Sequence, residues 1–263
     1  MNLLALFLFE NQWAFTAFIA VVLLGLAEAG YRFGLRLHVA KDEARKSQIG
    51  GVQGAVLGLL GLLLGFTFSM AVNRYEARRD LVLKEANTIG TTWLRASLLP
   101  EAQRAPVRNL LRSYVNVRIE LQKQSDPTKV AEGLRQGADI QSALWRHAEA
   151  AAAAAPTPIT ATFITTLNEM IDTDAERVTA ARNRIPEEVW VLLILVAAAG
   201  CLLSAYGAGA NGARSAFACL FLPLLITVVI MLVFDLMHTH QGTISVSQQP
   251  MLDLKASMAA PAP

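Results

Sequence analysis

An uncharged run of 22 residues, Gly51 to Val72, constrains the fold of this chain more than any other feature. At about 1.5 Å of rise per helical residue it spans roughly 33 Å, enough to cross a hydrocarbon core of about 30 Å. Its glycines recur at alternating steps of three and four, which places on one helix face Gly51, Gly54, Gly58, Gly61 and Gly65. Backbones can approach closely along such a face. The run therefore predicts a transmembrane helix with a glycine ridge.

Composition excludes several classes of function. The chain has 263 residues, of which 54% are apolar and 17% charged, a balance typical of an integral membrane protein. Its net charge is only +2 and no long basic run occurs, so nucleic acid is not an expected partner. Cys201 and Cys219 both lie in apolar segments and are too few for a disulfide or metal framework.

Four segments pass the length and hydropathy tests for membrane spans. They are about Trp13 to Ala29, Gly51 to Val72, Val189 to Tyr206 and Ser215 to Phe234. The pattern predicts an all-α membrane protein in which a helical extramembrane domain is inserted between the second and third transmembrane helices. The expected boundaries are 1–73 for the first two spans, 74–186 for the helical domain, 187–237 for the last two spans and 238–263 for a tail.

The insert shows helical periodicity throughout. Apolar residues continue beyond the second span at steps of three and four, so this helix should extend outward as far as Pro100. They are Val82, Ala86, Ile89, Trp93 and Ala96. Ser125, Asp126 and Pro127 mark a break where Asp126 can cap the following helix. No period-two alternation is long enough to predict a sheet.

One junction carries a resemblance to a known family. Gly65-Phe66 is followed, after TFSMAVN, by Arg74-Tyr75 and Glu76-Ala77-Arg78. This spacing resembles the end of the second membrane helix in bestrophins. With EANTIGTTWLR, the tail GTISVSQQPMLDL and the four-span layout, the chain is similar over nearly its whole length to the bacterial bestrophin-like family.

The resemblance implies a homo-oligomer, a pentamer, whose second helices line a central anion pathway. Its hydrophobic neck would be formed by Gly58, Leu62 and Phe66. Gly58 departs from the family pattern, which has a bulky apolar residue there, so that ring would be wider. The implied partners are identical subunits, the lipid bilayer and small anions, and the implied location is the bacterial inner membrane with the helical domain in the cytoplasm. Counting Lys and Arg in the short loops favours the opposite orientation.

Basic residues follow the second span. Arg74, Arg78 and Arg79 could form an anion-attracting vestibule, because each copy in a ring adds charge to a confined space. They could equally anchor the helix at headgroup level. Near the end of the first span, Glu28 is expected to reach the interface or to pair with Arg32 one turn later.

No metal site or cofactor is predicted. Asp235, His238 and His240 come nearest to a metal-binding group, but His-Thr-His lacks the helical i, i+4 spacing of a strong zinc motif. Eukaryotic bestrophins carry an acidic calcium clasp after the fourth span. The corresponding stretch here, DLMHTHQG, has a single carboxylate, so calcium dependence of that kind is not expected.

The tail has a polar half and an apolar half. We expect Gln248 and Gln249 to face a polar cavity. Met251, Leu252 and Leu254 are expected to pack against the helical domain of the same or a neighbouring subunit. The alternative is a tail that is ordered without a role of its own.

Two functions from different classes fit the sequence. The first is a homo-oligomeric, anion-conducting channel. The second is a non-conducting membrane scaffold or signal transducer, in which the long second helix connects bilayer and helical domain. An enzyme is not expected, because no nucleophile elbow, His-Glu-x-x-His, phosphate-binding glycine loop or Cys-x-x-Cys occurs.

Overall fold

The computed structural model describes residues 12–37, 43–183, 185–212, 214–237 and 244–259. Within these ranges the chain forms eight α-helices and one π-helical turn, and no strand, which confirms the predicted all-helical fold. The helices are α1 (Gln12–Leu37), α2 (Glu43–Ala96), α3 (Glu101–Lys123), α4 (Pro127–Ala154), α5 (Pro158–Arg182), α6 (Glu187–Ala210), α7 (Leu222–Met237) and α8 (Gln249–Ala259). The π-helical turn, Phe217–Phe221, leads directly into α7.

The chain divides into two compact units. The first is drawn from Met1–Asn73 and Arg184–Ile244, and the second from Arg74–Asn183 and Ser245–Pro263. Among the described residues, four helical segments are long and apolar enough to cross a membrane. The first three include the predicted spans, and the fourth, Phe217–Met237, overlaps the predicted span from Ser215 to Phe234. We refer to the two parts as the membrane unit and the helical unit.

Close backbone contact between α1 and α6 dominates the membrane unit. A Cβ at Gly30 would lie 2.3 Å from the carbonyl oxygen of Leu202, and one at Gly209 would lie 2.2 Å from that of Tyr31. Only glycine permits so short a separation between two helices, as at other small-residue crossings in membranes. The glycines at this crossing form a second close-packing face, separate from the ridge on α2.

The first part of α2 packs on α6 in the same unit. A Cβ at Gly200 of α6 would lie 3.2 Å from Cδ2 of Leu57, and Leu60 is buried. Gln53 donates a hydrogen bond to the Ser204 hydroxyl at 3.3 Å. One face of the α2 segment is thereby fixed against its own chain.

The helical unit contains the last part of α2 together with α3, α4, α5 and α8. Its core consists of buried residues that recur every three or four positions on each helix, as the sequence predicts: Val82, Ile89, Trp93, Val107, Leu111, Tyr114, Leu144, Phe163, Leu167 and Met170. The expected cap is present, because the Thr128 N–H donates to the Asp126 carboxylate at 2.9 Å. Helix α2 ends at Ala96 rather than Pro100, and a hydrogen-bonded turn connects it to α3.

Candidate functional site

The glycine ridge of α2 lies on a face that the described residues leave uncovered. Among those residues, no atom outside the local helix lies within 4 Å of a Cβ built at any of its five glycines: Gly51, Gly54, Gly58, Gly61 and Gly65. On the same side, the side chains of Leu62 and Phe66 are 55% and 64% exposed. The three predicted neck residues therefore share one open surface.

The opposite face of the same segment is closed. Leu60, Thr67 and Ala71 are buried, and Leu60 belongs to the core of the membrane unit. The Thr67 hydroxyl donates to the Leu63 carbonyl at 2.6 Å, so its polar group is satisfied within the helix. Within the part of the chain that the structure describes, no helix therefore packs on the ridge.

The three predicted vestibule arginines have different surroundings. Arg74 is half-buried and donates to the Asn183 side-chain oxygen at 2.8 Å. Arg78 is only 6% exposed, so its side chain is buried. Arg79 is exposed and lies 3.7 Å from the Asp80 carboxylate. Of the three side chains, that of Arg79 is the most open to solvent.

A buried ionic network, which the sequence analysis did not identify, lies at the centre of the helical unit. The Glu85 side chain is 0% exposed, and its Oε1 lies 2.7 Å from Nε of Arg118. Its other oxygen pairs with Arg177. Arg118 also lies 2.8 Å from Oδ1 of Asp174. Two carboxylates and two guanidiniums therefore balance one another, as burial of charge requires.

Neutral polar groups surround this network. Gln141 donates to Asp174 at 2.8 Å and to the Tyr114 hydroxyl at 3.1 Å. Burial and the neighbouring Glu85 carboxylate raise the pKa of Tyr114. Burial lowers the pKa of Arg118, but the neighbouring carboxylates of Glu85 and Asp174 outweigh this effect and raise it overall. Arg118 therefore keeps its positive charge, and Tyr114 its proton, across the physiological pH range.

The periodic pattern does contain a signal for this network. Glu85 lies within the apolar face formed by Val82, Ala86 and Ile89, and Arg118 follows Tyr114 by one turn on the core face of α3. A charged residue on an apolar face is buried with a partner or distorts the packing. The position therefore indicates burial, while the choice of partners depends on the tertiary structure.

The tail packs against its own helical unit. Met251 and Met258 are buried in the core, and Gln248 accepts a hydrogen bond from Arg177 at 3.1 Å. Gln249 is exposed and donates to Asp253 at 2.7 Å, and Leu252 is 44% exposed. The structure therefore separates the four predicted docking residues: Gln248 and Met251 face inward, whereas Gln249 and Leu252 face outward.

The candidate metal residues are only partly described. The buried Asp235 carboxylate accepts a hydrogen bond from the Ile244 N–H at 3.1 Å, while His238 and His240 lie outside the described residues. The described part of the chain contains no group of three or more His, Cys, Asp or Glu arranged to hold a metal ion. Glu28 pairs with Arg32 at 2.8 Å, as expected, and also with Arg214 at 3.0 Å.

The chain matches a known protein family and a solved structure. A family model described as the bestrophin-like domain matches residues 13–251. The chain is similar to the crystal structure of a bacterial bestrophin homolog from Klebsiella pneumoniae that carries an isoleucine-to-threonine substitution. That match has a TM-score of 0.59 and 14% sequence identity, and covers 92% of this chain and 98% of the other. At this identity it shows the fold. None of the curated proteins matches the chain.

Proposed function

The chain belongs to the bestrophin-like family, and from that membership we propose that it forms a homo-oligomeric, pentameric channel that conducts small anions. The single observation that carries this proposal is the uncovered face of α2. In a membrane an apolar helix face is covered by lipid or by another helix, and identical copies around an axis would supply such a helix. The glycines would allow neighbouring helices to approach closely.

The neck of the proposed pathway consists of Leu62 and Phe66. These residues are one helical turn apart, so a ring of copies would present two apolar constrictions about 6 Å apart. Gly58, one turn further along, would leave a wider ring. Such a constriction passes ions by wetting and dewetting, which makes its width the main control on conductance.

Charge at one end of the neck supports anion conduction. Arg79 is exposed, and in a ring every copy adds one guanidinium to the same confined space. Arg74 is half-buried and adds to this potential from a more fixed position. Arg78 is assigned a structural role in this proposal because its side chain is buried.

The proposed location follows the family. We place the protein in the bacterial inner membrane, with the helical unit in the cytoplasm. Labelling single cysteines introduced at exposed positions of the helical unit, in intact cells and in inverted vesicles, tests this orientation. If reagent added outside intact cells labels these cysteines, the helical unit lies on the outer side of the membrane and the proposed orientation is wrong.

Planar-bilayer recording of the purified protein tests conduction. We expect chloride-dependent currents, and we expect Phe66→Ala and Leu62→Ala to raise unitary conductance because each removes bulk from the neck. Phe221→Ala is a matched control, because Phe221 is comparably exposed at 59% but lies at the start of the fourth span.

Two results would contradict the proposal. Unchanged currents in both neck variants would remove the assignment of α2 as the lining helix. Absence of chloride-dependent current at every potential, in protein that is folded and oligomeric, would leave a non-conducting scaffold or signal transducer.

A further inference from the structure

One edge of the helical unit carries positive charge. Arg108 and Arg112 follow each other by one turn on α3, and their guanidinium carbons lie 4.0 Å and 5.0 Å from the centre of the Trp93 ring. Arg112 also donates to the Met258 carbonyl at 2.9 Å. Lys255 of α8 lines a shallow depression with Arg112. We call Arg108, Arg112 and Lys255 the basic flank.

Nothing in the described part of the chain neutralises this flank with a carboxylate at ion-pair distance. The aromatic ring of Trp93 and the Met258 carbonyl instead hold two of the guanidiniums in place. Arg112 is exposed and held in place without an acidic partner among the described residues, so it is suited to a partner in another molecule.

The opposite edge of the unit carries negative charge. Glu169 and Asp172 are exposed on α5, and Asp172 accepts a hydrogen bond from Asn168 at 2.8 Å. Glu176, one turn further, is already paired with Lys84 at 2.6 Å. We call Glu169 and Asp172 the acidic flank.

Helix α2 separates the two flanks. Through Trp93 it contacts α3, and through Lys84 and Arg95 it contacts α5, where Arg95 donates to the Thr162 carbonyl at 2.8 Å. Between these contacts Leu83 and Leu94 of α2 are 50% and 69% exposed. Copies standing on either side of one helical unit would therefore meet opposite charges, which is the arrangement of a head-to-tail interface.

The two flanks also lie at the same level. Glu85, Arg118 and Arg177 contact one another and define a reference height on α2, α3 and α5. The contacts that Trp93 and Arg95 make on the far side show that α3 and α5 both run antiparallel to α2. At about 1.5 Å per residue along α3, Arg112 and Arg108 lie roughly 9 and 15 Å beyond the level of Arg118. Counted in the same way along α5, Asp172 and Glu169 lie roughly 8 and 12 Å beyond the level of Arg177, in the same direction.

Rotation about an axis parallel to these helices leaves the position of each residue along that axis unchanged. We therefore propose that in the assembled protein the basic flank of each copy contacts the acidic flank of the next copy, with Arg112 at a height between Asp172 and Glu169, and Arg108 just beyond Glu169. This inference rests on the proposed homo-oligomer. Exposed ion pairs add little affinity, but they discriminate against wrong registers and set the direction of assembly.

Mixed cross-linking tests the contact directly. Two chains are coexpressed, one with Arg112→Cys and the other with Glu169→Cys, both in a background with Cys201→Ala and Cys219→Ala. A short bismaleimide should join them into a covalent dimer, because each chain has a single thiol. Coexpression of Arg146→Cys with Glu169→Cys is the matched control, since Arg146 is exposed on α4.

Charge reversal gives an independent readout. Arg112→Glu or Glu169→Lys alone should weaken association by about fivefold per interface, and the combined exchange should restore it. The effect of each single change should shrink in high salt.

The outcomes separate this inference from the proposed function. An intact oligomer that gives no cross-link above the Arg146 control, and no rescue on charge exchange, would overturn the proposed contact and leave the channel proposal standing. A protein that is monomeric in both detergent and lipid would overturn both.

Discussion

At the residue scale, the Glu85 carboxylate is a charged group with no exposure to solvent. It is fully enclosed and is neutralised by guanidiniums from two other helices. Removing one member of such a group leaves a buried charge without compensation, which costs more than the intact group contributes. The network therefore restricts which residue changes the helical unit tolerates.

Glu85→Gln should lower the free energy of unfolding by about 3–5 kcal/mol, because Arg118 and Arg177 would share a neutral partner in the interior. Glu176→Gln is the control: its pair with Lys84 is about half exposed on both sides, so its loss should cost no more than about 1 kcal/mol. Thermal unfolding of the two purified variants measures the difference. Equal midpoints would mean that the network contributes no more than a surface pair.

Tyr114 should make stability depend on alkaline pH. Its pKa is raised in the folded protein, so the unfolded chain, with an ordinary tyrosine pKa of about 10, loses the proton first. Stability from this group is complete below about pH 10 and falls above it, by up to about 1.4 kcal/mol per pH unit. Thermal midpoints between about pH 9 and 11.5 should therefore fall more steeply in the wild type than in Tyr114→Phe. Parallel slopes would contradict the raised pKa.

At the element scale, two glycine-rich faces have different roles. The one on α1 and α6 brings two backbones of the same chain into contact. The ridge on α2 has no neighbouring helix packed on it among the described segments of the protomer. Because both occur in apolar helices with small residues at helical spacing, sequence pattern alone does not distinguish an internal crossing from an external surface.

Gly30→Ala should destabilise the membrane unit by about 1–3 kcal/mol, because the added methyl group overlaps the Leu202 carbonyl and forces α1 and α6 apart. Gly25→Ala on the same helix is the matched control, since a Cβ there meets nothing within 4 Å and the change should be close to neutral. Thermal unfolding of the two purified variants in detergent measures the difference. A control variant as unstable as Gly30→Ala would argue against the close crossing as the cause.

At the scale of the whole molecule, the proposed assembly would account for an uncovered apolar face of α2 and for an exposed cation further along the same helix. One copy leaves Leu62 and Phe66 open and holds Arg79 exposed. A ring of copies would convert these features into a neck and a charged entrance. The proposed channel therefore depends on symmetry rather than on any cavity within one chain.

Arg79→Glu should shift ion selectivity towards cations, because each subunit of the ring would replace a positive charge with a negative one. Reversal potentials in asymmetric potassium chloride measure the shift, which should weaken at high salt. Arg135→Glu on α4 is the control, since this exposed residue pairs with Asp139 in its own helix. A reversal potential that stays at the wild-type value would place Arg79 away from the ion pathway.

By itself, the amino-acid sequence determined the helical class, the four apolar spans and the positions of the glycine ridge. Hydropathy over some twenty residues and side-chain spacing on a helix are local properties, so they can be read without knowing what lies opposite. The tertiary structure decided which polar residues are enclosed. Arg78 is buried and Arg79 exposed although they are adjacent, and Glu85 is paired with residues 33 and 92 positions away. Burial depends on the neighbouring helices, and their arrangement arises only when the whole unit folds.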